Sequence, residues 1–188
     1  MKVIFIDGPQ LSGKSTLIQG LANKYGWKVY KFPFSRYSSE LELSTKEELK
    51  GFQLGKDLAS MYWIKSLGMA SDEVILIDRG PFSSIYYSLT EGRMSNELVH
   101  RFIRELSEFG NNFTYIFVTA NGRPGDLVRN KEDGFDGLDK SEENIEAICS
   151  LSSMAFWNNL NLKLFVNDFS VSIEENLNNL IKIVEEVL

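Results

Sequence analysis

The sequence predicts an α/β domain: a five-stranded, mainly parallel sheet flanked by helices on both faces. Three observations lead there. Five short apolar runs recur along the 188 residues, longer stretches of helical spacing separate them, and a glycine-rich loop of fixed spacing follows the first run directly. Strand and helix in alternation give parallel sheets, because parallel neighbours need a crossover connection and that connection is usually a helix.

The expected strands are residues 3–6, 28–32, 74–77, 115–118 and 162–166. Each is short and rich in β-branched or aromatic residues, the composition of strands buried within a sheet. The first helix follows the glycine-rich loop, with Leu17, Leu21 and Tyr25 one turn apart. Leu49, Phe52, Leu58, Met61 and Leu67 continue a second, imperfect pattern. Leu98, Phe102, Leu106 and Phe109 make a third, and Ile145, Ile148, Leu151 and Ala155 a fourth. Ile173, Leu177, Leu180, Ile181, Val184 and Leu188 make a fifth. Ser44 with Glu47 and Ser172 with Glu175 have capping-box spacing, in which side chains satisfy the first amides of a helix. No repeat or Pro/Gly/Ser linker divides the chain, so residues 1–188 read as one domain.

Composition narrows the function classes. Hydrophobic residues are 43% and charged residues 24%, ordinary globular usage that argues against disorder. The longest purely apolar runs are too short for the ~20 residues of a membrane-spanning helix, so no membrane association is expected. Residues 1–7 turn acidic too soon for a secretory signal. A single Cys, Cys149, allows no intrachain disulfide and points to a cytoplasmic setting. With His100 the only histidine, a Cys/His zinc cluster is excluded. Cys149, Trp63 and Trp157 read as packing residues, and His100 as a surface or core histidine. The net charge of −6 provides no general attraction for nucleic acid, which is not expected as a partner. An anionic ligand must therefore be held by a few local groups.

Those groups are present. Gly8-Pro9-Gln10-Leu11-Ser12-Gly13-Lys14-Ser15-Thr16 has the spacing G-x-x-x-x-G-K-S between a strand and a helix. The glycines let successive backbone amides converge on one anion, and the helix adds the partial positive charge of its N-terminus. In this loop Lys14 reaches the β- and γ-phosphates of a nucleoside triphosphate, and the Ser15 hydroxyl ligates Mg²⁺. A second group stands at the end of the third strand, Asp78-Arg79. In this architecture a carboxylate there lies beside the phosphate loop. Asp78 can support Mg²⁺ or hydrogen-bond an acceptor, and Arg79 can hold a phosphate with its two-pronged guanidinium. A strand-end salt bridge is the plainer reading of the pair. Beyond it, Tyr86 and Tyr87 enter a helix as core or groove residues.

These pieces resemble the thymidylate kinase family, within the P-loop nucleoside and nucleotide kinases. Ile6-Asp7-Gly8 leads into the loop and Gly13-Lys14-Ser15-Thr16 closes it. Lys31-Phe32-Pro33-Phe34-Ser35-Arg36 is similar to the family's Phe-Pro segment and its phosphate-binding Arg. Phe52 and Lys56 fall on the helix that stacks an aromatic on the base and supplies an Arg in the family. Asp78-Arg79 with Phe82-Ser83 resembles its Asp-Arg signature, residues 122–140 fall where it has a lid, and Val166-Asn167-Asp168 with Ser172-Ile173-Glu174 is similar to its closing segment. The resemblance implies a P-loop kinase fold with a mobile lid at about residues 121–140, and transfer of the ATP γ-phosphoryl group to a deoxynucleoside monophosphate with Mg²⁺. Family members commonly dimerise through helices, which makes a homodimer an expectation, although no exposed stripe marks its interface.

The sequence departs from the family pattern at four places. Gln10 replaces an acidic residue, Gly80 follows Asp78-Arg79 where an aromatic is usual, Lys56 replaces Arg, and Arg36 falls one position late. These bear on reading the base and sugar more than on phosphoryl transfer. In the lid stretch Arg123, Arg129 and Lys131 can close over a transferring phosphoryl group and exclude water, with Arg129 the favoured catalytic cation and Arg123 facing the nucleotide. Four acidic neighbours make a solvated charged loop the alternative. Asn130-Lys131-Glu132-Asp133 also matches the N-K-x-D guanine motif of GTPases, but a Gly/Pro-rich stretch separates it from the preceding strand, and Gly80 arrives one residue too early for D-x-x-G.

A base pocket needs a flat apolar wall with a few polar groups, which Phe32, Phe34, Phe52, Gln53 and Tyr87 can provide. Gln53 keeps a deoxynucleoside kinase open, since those enzymes read the base edge with a Gln on this helix. The segment after the second strand has no carboxylate until Glu40, and Arg36 suits an anionic acceptor. A kinase of nucleic-acid ends or modified bases, and a regulatory nucleotide switch, complete the alternatives.

Overall fold

A computed structural model of the chain describes residues 2–8, 12–31, 73–80, 82, 96–107, 113–121 and 161–188. In chain order the elements are β1 (Lys2–Asp7), α1 (Lys14–Tyr25), β2 (Lys28–Lys31), β3 (Val74–Asp78), α2 (Asn96–Ser107), β4 (Phe113–Asn121), β5 (Leu162–Asp168) and α3 (Ile173–Val187). All five expected strands form one sheet in the order β2-β3-β1-β4-β5, and every pairing is parallel. β1 is central. The chain leaves it towards β2 on one side, and β4 lies against its other side. Ligands of such sheets bind beyond the carboxyl ends of the strands at this reversal.

Alternation along the strands builds two layers of core. On one face Ile4, Ile6, Leu76, Ile116, Val118 and Phe165 meet Leu17, Ile18 and Leu21 of α1 and Leu180, Ile181 and Val184 of α3. The other face carries aromatics. The Phe5 ring stacks on Tyr115 at 5.1 Å and meets Phe113 edge-on, and Phe82 meets Tyr115 edge-on at 5.0 Å. Each such side chain contributes roughly 1.5–3 kcal/mol on full burial. The central strands are enclosed on both faces, so they are the firm root of the loops that leave their ends. Ile103 and Leu106 of α2 are buried as well.

The strands outrun their apolar runs. β4 pairs with β5 from Tyr115↔Leu162 to Asn121↔Asp168, well past the last hydrophobic pair. Hydropathy marks only the buried part of a strand, whereas the hydrogen-bonded ladder continues as long as the partner does. Two strands expected to be buried are exposed in part. All four residues of β2 are exposed, and β5 buries Phe165 and Asn167 while Leu164 and Val166 face solvent. Both lie at sheet edges with a single neighbour, and the lysines at either end of β2 are the charges that discourage edge-to-edge pairing.

The cap expected at Ser172 is present: its hydroxyl accepts from Glu175 N at 3.1 Å and starts α3. Leu180, Ile181 and Val184 are buried as the fifth pattern requires, but Ile173 is 66% exposed and Leu188 is exposed too. The stripe instead begins at buried Asn176, because the first turn of α3 is tied to the end of β5 through that side chain. The second and fourth helical patterns, the Ser44 cap, Phe109, Cys149, Trp63 and Trp157 lie outside the described residues, and His100 falls on α2.

Candidate functional site

β1 carries Asp7 and Gly8 to the rim of the sheet. Register places Asp7 opposite Phe117 of β4, so Gly8 arrives beside Val118. A Cβ on Gly8 would lie 2.1 Å from the Val118 carbonyl oxygen, and its φ of 134° is one that side chains rarely adopt. Only glycine turns here. The loop ends at Gly13, φ 81°, which is the N-cap of α1. A Cβ there would lie 2.2 Å from Asn167 Nδ2, and that same nitrogen donates to the Ser12 carbonyl at 2.9 Å. The loop is thus pinned to the end of β5.

The start of α1 has no side-chain cap and no acidic residue in its first turn, an arrangement whose amides and dipole suit an anion. Lys14 is buried and donates to Ser12 Oγ at 3.2 Å. Burial pushes its ammonium down to about 8 and the nearby Arg79 charge adds to this, while Asp7 and Asp78 pull it back up. Ser15 and Thr16 are exposed on the first turn of α1.

β3 brings the second group. Ile6 pairs with Asp78, which sets Arg79 alongside Asp7 and Gly8. Asp78 is buried and pairs with exposed Lys31, the last residue of β2, at 3.6 Å. Arg79 has φ 73°, the left-handed region that costs a residue with a side chain roughly 1–2 kcal/mol. Two hydrogen bonds hold the turn: Arg79 N donates to the Ile6 carbonyl at 3.0 Å, and Gly80 N donates to Asp7 Oδ1 at 2.7 Å. Behind them Tyr115 Oη is buried without a hydrogen-bond partner among the described residues. Burial and then the Asp7 carboxylate push its hydroxyl up, so it stays neutral.

The structure therefore gathers Gly8, Ser12, Gly13, Lys14, Ser15, Thr16, Asp78 and Arg79 around the carboxyl ends of β1 and β3. Gln10, Phe32, Arg36, Phe52, Gln53, Lys56, Tyr87, Arg123 and Arg129 lie outside the described residues. Four residues join the site without having been given a role from sequence. Asp7, Asn167 and Lys31 appear in the sequence only as members of segments similar to the family's, Asp7 leading into the loop, Asn167 in the closing segment and Lys31 opening the Phe-Pro segment, with no role of their own. Gly80 read as a departure, but a Cβ there would lie 2.7 Å from Phe5 Cδ1 and 2.9 Å from Asp7 Oδ2, so packing against β1 selects glycine.

Chemically, a cation on the first turn of an uncapped helix and a second on the turn beside the end of β1 suit two phosphate groups brought together. Ser15 and Asp78 are oxygen donors that fit a Mg²⁺ held mostly by phosphates and water. Among the described residues there is no cluster of three or more His, Cys, Asp or Glu, and such an ion does not require one. Among the same residues no helix is long and apolar enough to cross a membrane.

Comparison with known proteins finds a family match and likenesses of fold. A family model described as an AAA domain matches residues 3–151. Thymidylate kinase from Candida albicans superposes with a TM-score of 0.65 at 17% identity, over 98% of this chain and 91% of that one. Deoxyadenosine kinase from M. mycoides, solved with dCMP and dCDP, gives 0.59 at 17% identity over 98% and 99%. The NadR protein in complex with NR gives 0.62 at 13% identity, over 99% of this chain and 50% of that one. At these identities the likeness is one of fold. No curated protein matches the sequence.

Proposed function

The chain belongs to the AAA domain family, and from that premise we propose that it is an ATP-dependent nucleotide kinase. In this reading residues 1–188 act as a single domain that moves the γ-phosphoryl group of ATP onto the 5′-phosphate of a deoxynucleoside monophosphate, as a thymidylate kinase does. The observation that carries the reading is the convergence of Lys14 and Arg79. Lys14 closes the loop that follows β1 and Arg79 follows β3, and these strands are paired, with Arg79 N donating to the Ile6 carbonyl at 3.0 Å.

The loop amides and Lys14 hold the β- and γ-phosphates. The Ser15 hydroxyl and the Asp78 carboxylate would hold Mg²⁺, which when bound supplies charge neutralisation at the phosphates. Arg79 and Arg36 grip the acceptor phosphate and aim one of its oxygens at the γ-phosphorus. As the new P–O bond forms, the bond from the γ-phosphorus to the β-γ bridging oxygen breaks and ADP leaves. The transition state is loose, so positioning and cationic charge are most of the catalysis. Arg123 and Arg129 add positive charge from the lid and keep water from competing. Phe32, Phe52, Gln53, Lys56 and Tyr87 read the base. Lys31, paired with Asp78 at 3.6 Å, would share that carboxylate with the metal.

Coupled ADP release against deoxynucleosides, deoxynucleoside monophosphates and an oligonucleotide tests the proposal. ADP release that depends on a monophosphate, abolished in Lys14→Ala, is the expected result. Full activity in that variant would overturn the assignment of Lys14. A preference for the uncharged nucleosides would replace this reading with a deoxynucleoside kinase, and slow hydrolysis indifferent to every acceptor would replace it with a nucleotide switch.

A further inference from the structure

Asp7 is the most deeply buried charged side chain among the described residues, at 0% exposure. A carboxylate there is costly unless its surroundings use it, and the reaction outlined above gives it no part. Its geometry shows what it does. One oxygen accepts from Gly80 N at 2.7 Å, across 73 positions of sequence. Gly80 follows Arg79, and Arg79 sits at φ 73°, a conformation an arginine keeps only where its neighbours impose it. Both bonds that impose it come from the end of β1: the Ile6 carbonyl takes Arg79 N, and the Asp7 carboxylate takes Gly80 N. The next residue, Gly8, begins the phosphate loop. Gly80 fits because it has no Cβ to meet Phe5 Cδ1 and Asp7 Oδ2.

We propose that Asp7 is a positioning residue that locks the Arg79 turn to the root of the phosphate loop, so that the acceptor-side guanidinium is held in register with the donor phosphates. The inference rests on the kinase reading. It assigns Asp7 no contact with substrate and no proton to move.

Asp7→Asn and Asp7→Ala test it together. Both remove the charge, but only Asn keeps an oxygen that can accept from Gly80 N, so the difference between them isolates the hydrogen bond. Steady-state kinetics would use MgATP and whichever of dTMP, dCMP, dAMP and dGMP the wild type turns over fastest. Asp7→Ala is expected to raise the acceptor KM about fivefold above that of Asp7→Asn, the effect of losing one hydrogen bond between neutral groups, with similar ATP binding in both. Crystals of Asp7→Asn should keep Arg79 at positive φ, and those of Asp7→Ala should lose it. A purely structural role would lower the unfolding midpoint of Asp7→Ala without splitting the two KM values. Gly80→Ala presses on the same contact from the other side and should give the same split, and it decides the matter if Asp7→Ala does not fold. Equal acceptor KM values in Asp7→Ala and Asp7→Asn, or a Gly80→Ala variant with wild-type kinetics, would overturn the inference and leave the kinase reading standing. A wild type that turns over none of the four monophosphates would instead remove the kinase reading, and this inference with it.

Discussion

Lys14 meets two opposed demands. It must carry a charge to hold phosphates, yet it is buried next to Arg79, and its ammonium titrates near pH 8 instead of near 10.5. Its charged form is therefore nearly complete a unit or more below pH 8 in the free protein, half populated near 8 and lost above it. We expect kcat/KM for MgATP to be flat below pH 8 and to fall about tenfold per pH unit above it, the slope of one essential proton. The same shift affects stability in the opposite sense. Between pH 8 and 10.5 the unfolded chain binds more protons at this position than the folded one, so unfolding free energy rises with pH through that window. Urea titrations of wild type against Lys14→Met across the window should show the wild type gaining on the variant; a constant difference would mean the ammonium is not depressed. Lys14 and Ser15 were legible in the spacing of the glycine-rich loop, and Asp78 and Arg79 in their place at the end of an apolar run. Asp7 and Asn167 were not, because their partners stand 73 and 155 positions away and no local pattern records such a pairing.

At the scale of elements, the junction of β5 and α3 depends on Asn176. The side chain is 4% exposed, accepts from Asp168 N at 3.0 Å and donates to the Asp168 carbonyl at 2.7 Å. One residue before Asp168, Asn167 pins the phosphate loop. Asn176→Ala should lower unfolding free energy by about 1–2 kcal/mol in urea, since it removes one hydrogen bond from Asp168 N and one from the Asp168 carbonyl, which still accepts from Val171 N at 3.3 Å. Asn176→Leu should do no better despite filling the space. If Leu restores wild-type stability, the site needs volume and not hydrogen bonds. The element-level reading of the sequence was right about the strands and the Ser172 cap because hydropathy and capping are local. It missed which strands were edges: the lysines of β2 and Lys163 of β5 are the only local hint, and exposure depends on how many neighbours a strand acquires.

For the whole molecule, the proposal requires an acidic chain to concentrate positive charge in one place. Binding at that place should be visible as stabilisation of the fold. MgATP at a hundred times its dissociation constant should add ~2.7 kcal/mol to the unfolding free energy, read as a rise in melting temperature, and Lys14→Ala should abolish the rise. A rise that persists in that variant would put the nucleotide elsewhere.

By itself the sequence determined the strand and helix alternation, and with it the parallel sheet, the phosphate loop after β1 and the cationic turn after β3. Each of these follows from interactions between residues close in the chain. Tertiary structure alone decided that β1 lies between β3 and β4, that the backbone of β4 leaves room only for glycine at residue 8, and that a carboxylate on β1 holds the turn carrying Arg79. Those outcomes depend on which distant segments come within hydrogen-bond reach, and the packing of the completed sheet sets that distance.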